Sequence, residues 1–137
     1  MKRYLNIALA YALAAMAGGV FFREFTKLCG YEGVTALGRV HVHLFVLGML
    51  VFLLVALFAG RMEVQASKRF KAFMAVYNAG VVLTAVMMLV RGVMQVKAVE
   101  LTRGMSAAIS GVAGIGHILT GVGIVLLLLV LREGARD

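Results

Sequence analysis

The sequence predicts an all-α fold: an integral membrane four-helix bundle, up-down-up-down, with the N and C termini cytoplasmic. Three observations predict it. Apolar residues make up 63% of the 137 residues, with neither Pro nor Trp, against about 45–50% apolar in ordinary soluble domains. Four apolar stretches, Tyr4 to Phe22, Ala36 to Phe58, Ala72 to Val96 and Ser106 to Leu131, reach the ~20 residues a helix needs to cross a bilayer. Basic residues then gather in the short connections between these spans and at the ends, where the positive-inside rule applies.

The first stretch opens on Met1-Lys2-Arg3 and contains Ala15-Met16-Ala17, an imitation of a secretory signal with its small-residue cleavage site. The apolar run continues through Gly18, Gly19, Val20, Phe21 and Phe22, so this segment is expected to persist as the first membrane helix. Its Ala8, Ala12, Ala15 and Gly19 form a small-residue seam that lets a neighbouring backbone approach closely.

The second span opens with Gly38-Arg39-Val40-His41-Val42-His43-Leu44 and then becomes wholly apolar, so its chemistry sits at one end. On the third, Tyr77, Gly80, Thr84, Met88, Arg91 and Gln95 fall within roughly 60° of one another at 100° per residue, a polar stripe expected to face inward. The fourth carries Ser106, Ser110 and Gly114 on one ridge and Ala113, His117 and Gly121 on another. So many small residues call for tight packing against a neighbour.

No linker or low-complexity tract divides the chain, and residues 1–137 are expected to form one domain. A net charge of +8 would suit nucleic acid, but its distribution reads as topology instead. Lys2, Arg3, Arg61, Lys68, Arg69, Lys71, Arg132 and Arg136 fall on one side; Arg23, Lys27, Arg39, Lys97 and Arg103 fall on the other. The richer side is the cytoplasmic one. The expected location is a bacterial cytoplasmic (inner) membrane, with the lipid bilayer as partner and no nucleic acid. Cys29, in an outer loop, is the only cysteine and forms no internal disulfide.

All three histidines, His41, His43 and His117, lie inside predicted spans. An ionisable group within the membrane is a functional candidate by default, because it loses hydration and needs a partner. His41 and His43 are about 200° apart around their helix and serve different partners. His117 lies about eleven residues into its span, some 6 to 9 Å deeper than the other two at 1.5 Å per residue. Two imidazoles on facing helices at staggered depth suit the two sides of a tilted macrocycle.

Ala113, Gly114, Thr120 and Gly121 around His117 leave a slot for something flat. A haem b needs an axial imidazole, a flat apolar cavity and a cation near its propionates. Arg91 is placed to supply that cation. The expected ligands are therefore His117 with His41 or His43, for electron transfer or for binding a small gas such as oxygen or nitric oxide.

Copper is the alternative cofactor, in a metal or small-solute transporter or handler that uses His41, His43 and His117 at a subunit interface, with Met87 or Met88 as soft ligands. A proton-coupled transporter commonly needs an intramembrane carboxylate, and none of the six acidic residues lies deep in a span. A third class is a structural or assembly protein, its histidines bonded between helices. The small-residue ridges favour a homo-oligomer, a dimer or a trimer. Whether the chain catalyses a reaction as an oxidoreductase, and with which redox partner, is open at this point.

Several runs resemble a family of small four-span bacterial membrane proteins of unknown function: His41-Val42-His43-Leu44-Phe45-Val46-Leu47-Gly48, Tyr4-Leu5-Asn6, Phe22-Arg23-Glu24-Phe25, Leu89-Val90-Arg91-Gly92 and Ser110 to His117. The His-x-His-Leu run with its following Gly also resembles the haem-ligand helix of haem-copper oxidase subunit I and related nitric-oxide-response membrane proteins. That second resemblance implies axial-ligand roles for His41 and His43 on opposite faces. Such a subunit has about twelve spans against four here, and this sequence lacks both its paired His-His and its His-x-x-x-Tyr. The resemblance therefore extends to haem binding and not to a complete copper centre.

Overall fold

The computed structural model of the chain describes residues 1–135, which leaves Arg136, one of the basic residues counted for topology, outside the described residues. The described residues are helical, and no strand forms among them. Four helices are long and apolar enough to cross a membrane: α1 (Lys2–Leu28), α2 (Leu37–Ala59), α3 (Lys68–Val96) and α4 (Arg103–Gly134). A 3₁₀ turn at Val64–Ala66 lies in the α2–α3 connection. Within α2, Leu44–Leu50 is wound as a π-helix between α-helical Leu37–His43 and Val51–Ala59.

The helices outrun the apolar spans. α1 runs on through Arg23–Leu28, α3 starts at Lys68 and α4 reaches from Arg103 to Gly134. Charge ends a membrane span but not a helix, since Arg, Lys and Glu are good helix formers. Turn chemistry does end them. After α1, Gly30 takes φ +60, while Tyr31 N–H donates to Thr26 O at 2.9 Å and Gly30 N–H to Lys27 O at 3.1 Å, a Schellman closure. α3 ends in the same way, with Ala98 at φ 51 and Val99 N–H donating to Met94 O at 3.0 Å.

Consecutive helices run antiparallel. α1 lies on α2 through Gly18 against Val40, Gly19 under the ring of His41, Gly38 under Phe22 and Gly48 under Tyr11. This uses the α1 seam, with Ala8 and Ala15 buried. α2 meets α3 where Leu37 packs on Gly92. α3 and α4 cross closely at three glycines: a Cβ on Gly80 would stand 2.5 Å from Thr120 N, one on Gly116 2.6 Å from Thr84 Oγ1, and one on Gly123 2.7 Å from Tyr77 Cβ. Small residues here permit near backbone contact.

The packing ridge of α4 is therefore Gly116, Thr120, Gly123, Leu127 and Val130, and neither of the two ridges expected from the sequence. Gly111, Gly114 and Gly121 face open space. Periodicity could not choose among the ridges because small residues occur on all sides of this helix.

Met1 packs at Gly60, and Met62 at Gly134, so the start of α1 and the end of α4 lie beside the α2–α3 connection. This is the terminal end; the connections 29–36 and 97–102 form the far end. Tyr77, Phe52, Phe73, Val55 and Val81 fill the interior. Leu9, Leu13, Val20, Leu57, Ile118, Val125 and Leu128 are more than half exposed. An apolar exterior around hydrogen-bonded helices is what a bilayer solvates, and the chain reads as a multi-pass membrane protein.

Candidate functional site

The polar stripe of α3 faces inward as its periodicity predicts, and its groups act as ties between helices. Tyr77, fully buried, donates its hydroxyl to Leu47 O in the π segment of α2 at 2.9 Å. Arg91 reaches α4, donating from Nη2 to Ser106 O at 3.0 Å and to Ser110 Oγ at 2.7 Å. Gln95 Oε1 accepts from Ala36 N–H at 2.8 Å, and Thr35 Oγ1 donates to Gly92 O at 3.1 Å, which pins the start of α2 to the far end of α3. Thr84 is 2% exposed, lies against Gly116, and its Oγ1 has no hydrogen-bond partner among the described residues.

His43 and His117 come together. Their ring centroids lie 6.5 Å apart, with the planes at 83°. Each ring is oriented by its own helix: His43 Nδ1 donates to Arg39 O at 2.9 Å and His117 Nδ1 to Ala113 O at 2.8 Å. A carbonyl can only accept, so Nδ1 carries the proton in both rings, and in the neutral ring Nε2 keeps its lone pair. That is the state in which an imidazole binds a metal, its second nitrogen held by a backbone carbonyl.

The levels of these two residues are set by contacts near the connections. Leu37 is anchored at Gly92, and Ser110 is tied to the adjacent Arg91. Each histidine then lies about two turns beyond its anchor, His43 from Leu37 and His117 from Ser110. Counting depth from the ends of apolar runs leaves these contacts out, and α4 projects further at the far end than α2.

His41 does not join the pair. It packs against Gly19 of α1, where a Cβ would stand 3.6 Å from its Cγ, and its Nδ1 is buried without a hydrogen-bond partner among the described residues. The rotation between His41 and His43 read from the sequence is what separates them. Among the described residues no three His, Cys, Asp or Glu side chains gather closely enough to hold a metal ion, so the three histidines do not form one metal site within the chain.

Arg91 lies about two turns, or 10 Å, from Thr84 on the same face of α3, and Thr84 is at the level of Gly116, beside His117. The guanidinium thus stands on the far-end side of the imidazole pair, with only Nη2 engaged among the described residues.

Two ties lie outside the residues singled out by sequence. Tyr11 donates its hydroxyl to Asn78 Oδ1 at 2.8 Å, and Asn78 Nδ2 donates to Met74 O at 2.7 Å. The Thr35 tie to Gly92 is the other. An amide within an apolar span is itself the signal that would have marked Asn78.

No curated protein and no solved structure matches this sequence. Neither comparison gives any likeness to haem-copper oxidase subunit I. The family described as "Protein of unknown function (DUF2871)" matches residues 1–134, and the chain belongs to that family.

Proposed function

We propose that the chain is a membrane b-type haem protein in which His43 and His117 are the two axial ligands and Arg91 faces the propionates. The observation that carries this is the oriented imidazole pair. Two imidazoles on opposite sides of one metal, each at about 2 Å as in protein metal sites, hold their centroids roughly 6 Å apart. The rings stand at 6.5 Å with both Nδ1 atoms already engaged. The residues present fit the group: two nitrogen ligands, small or open positions at Gly114 and Gly121 beside His117, and a cation about two turns away.

Haem, when bound, supplies a one-electron couple. The chain's part is to hold both imidazoles, keep Nε2 available through the carbonyls of Arg39 and Ala113, and place positive charge on one side. Were both imidazoles to hold the iron, no position would be left for oxygen or nitric oxide, which favours electron transfer over gas binding. A tetrahedral zinc or copper site is less well supplied, since His41 faces α1 and no third His, Cys, Asp or Glu among the described residues joins the pair.

The test is the visible spectrum of protein purified from haem-replete cells. A Soret band that shifts on reduction, and that weakens in Arg91→Ala while persisting in Arg91→Lys, is the expected result. Colourless protein from such cells overturns the proposal.

A further inference from the structure

We infer that Tyr77 is the strut that sets the gap between α2 and α4, and so acts as a positioning residue for the His43–His117 pair without touching a ligand. The part concerning haem rests on the reading above; the strut itself does not.

Tyr77 meets both histidine-bearing helices just to the terminal side of the pair. Towards α2 its hydroxyl donates to Leu47 O, and Leu47 lies one turn beyond His43. Towards α4 its Cβ lies under Gly123, where an added methyl would stand 2.7 Å away; Gly123 is less than two turns beyond His117. Its ring is held by Phe73 at 5.2 Å and Phe52 at 6.1 Å. α2 and α4 both pack on α3, so the distance between their histidines is transmitted through α3.

Leu47 sits inside the π segment Leu44–Leu50 that begins immediately after His43. Such segments change the register of a helix locally and are common at functional sites. A hydrogen bond from a rigid, buried ring to a carbonyl in that segment fixes where the segment lies, and with it the direction of His43 Nε2. Groups that orient ligands tune a bound metal although they do not coordinate it.

Tyr77→Phe removes only the hydroxyl. Tyr11→Phe is the matched control: it also removes a hydroxyl with a cross-helix partner, but that partner is Asn78. In haem-loaded protein, Tyr77→Phe is expected to shift the midpoint potential and the low-spin spectroscopic signature, and Tyr11→Phe to leave both in place. A readout without cofactor uses the full chain carrying Cys29→Ser, His43→Cys and His117→Cys with a short bifunctional thiol reagent. Adding Tyr77→Phe is expected to slow cross-linking several-fold, and adding Tyr11→Phe to have little effect. Should Tyr77→Phe fail to fold, Gly123→Ala, which pushes α4 off the same ring, is expected to slow it likewise. Unchanged cross-linking in these variants, or equal slowing by Tyr11→Phe, overturns the strut. Colourless wild-type protein whose cross-linking still depends on Tyr77 overturns the haem reading and leaves the strut standing.

Discussion

His43 and His117 face one another across α2 and α4 with centroids 6.5 Å apart, each ring fixed by the carbonyl four residues before it. If they ligate one haem, His43→Ala and His117→Ala should each lower the haem-to-protein ratio by at least about tenfold, since loss of even a supporting partner commonly costs 10- to 100-fold. His41→Ala should keep the wild-type ratio, because His41 lies against Gly19. Pigment content after purification measures this, and equal loss in all three variants would mean that the pairing is wrong.

The α3–α4 crossing should tolerate no added methyl. Gly80→Ala and Gly116→Ala place a Cβ 2.5 and 2.6 Å from Thr120 N and Thr84 Oγ1, and overpacking of this kind costs about 1–3 kcal/mol or more. Gly114→Ala, with open space around it, should change stability by no more than about 0.5 kcal/mol. Thermal loss of helicity in detergent gives the comparison.

Thr84→Val should stabilise the protein. The hydroxyl is buried and unpartnered, and leaving such a group unsatisfied costs about 1–3 kcal/mol, of which replacement by a methyl should recover up to ~1 kcal/mol. Thr120→Val is the contrast, because its hydroxyl donates to Gly116 O at 2.9 Å. A higher melting temperature in Thr84→Val than in Thr120→Val is the expected order.

Ala98 closes α3 at φ 51, the role that Gly30 fills after α1. A side chain in this left-handed conformation costs roughly 1–2 kcal/mol, so Ala98→Gly should raise stability by ~1 kcal/mol and Gly30→Ala should lower it by a similar amount. Both positions lie in connections, and their unfolding midpoints can be compared with little disturbance of the helix packing.

Much of this architecture is legible in the sequence because the bilayer imposes it. Four apolar stretches without proline must become helices, since lipid offers no partner for an unpaired backbone group. The polar stripe of α3 and the α1 seam follow from helical periodicity, which is a local property. So does the separation of His41 from His43. Their rotation around one helix holds whatever surrounds it, and it already forbids a single site using both.

Other features needed the assembled helices. Which ridge of α4 packs could not be read locally, because Ser110, Gly114, Gly116 and Gly121 are all small, and only shape fit to Gly80, Thr84 and Tyr77 selects Gly116 and Gly123. The π segment of α2 is not announced by its apolar spacing, and its Leu47 carbonyl is met by a side chain thirty positions away. The sequence by itself determined four spans long and apolar enough to cross a membrane, and that His41 and His43 point to different faces of one helix. Only tertiary structure decided that His43 and not His41 meets His117, because α1 covers the His41 side of α2 at Gly19.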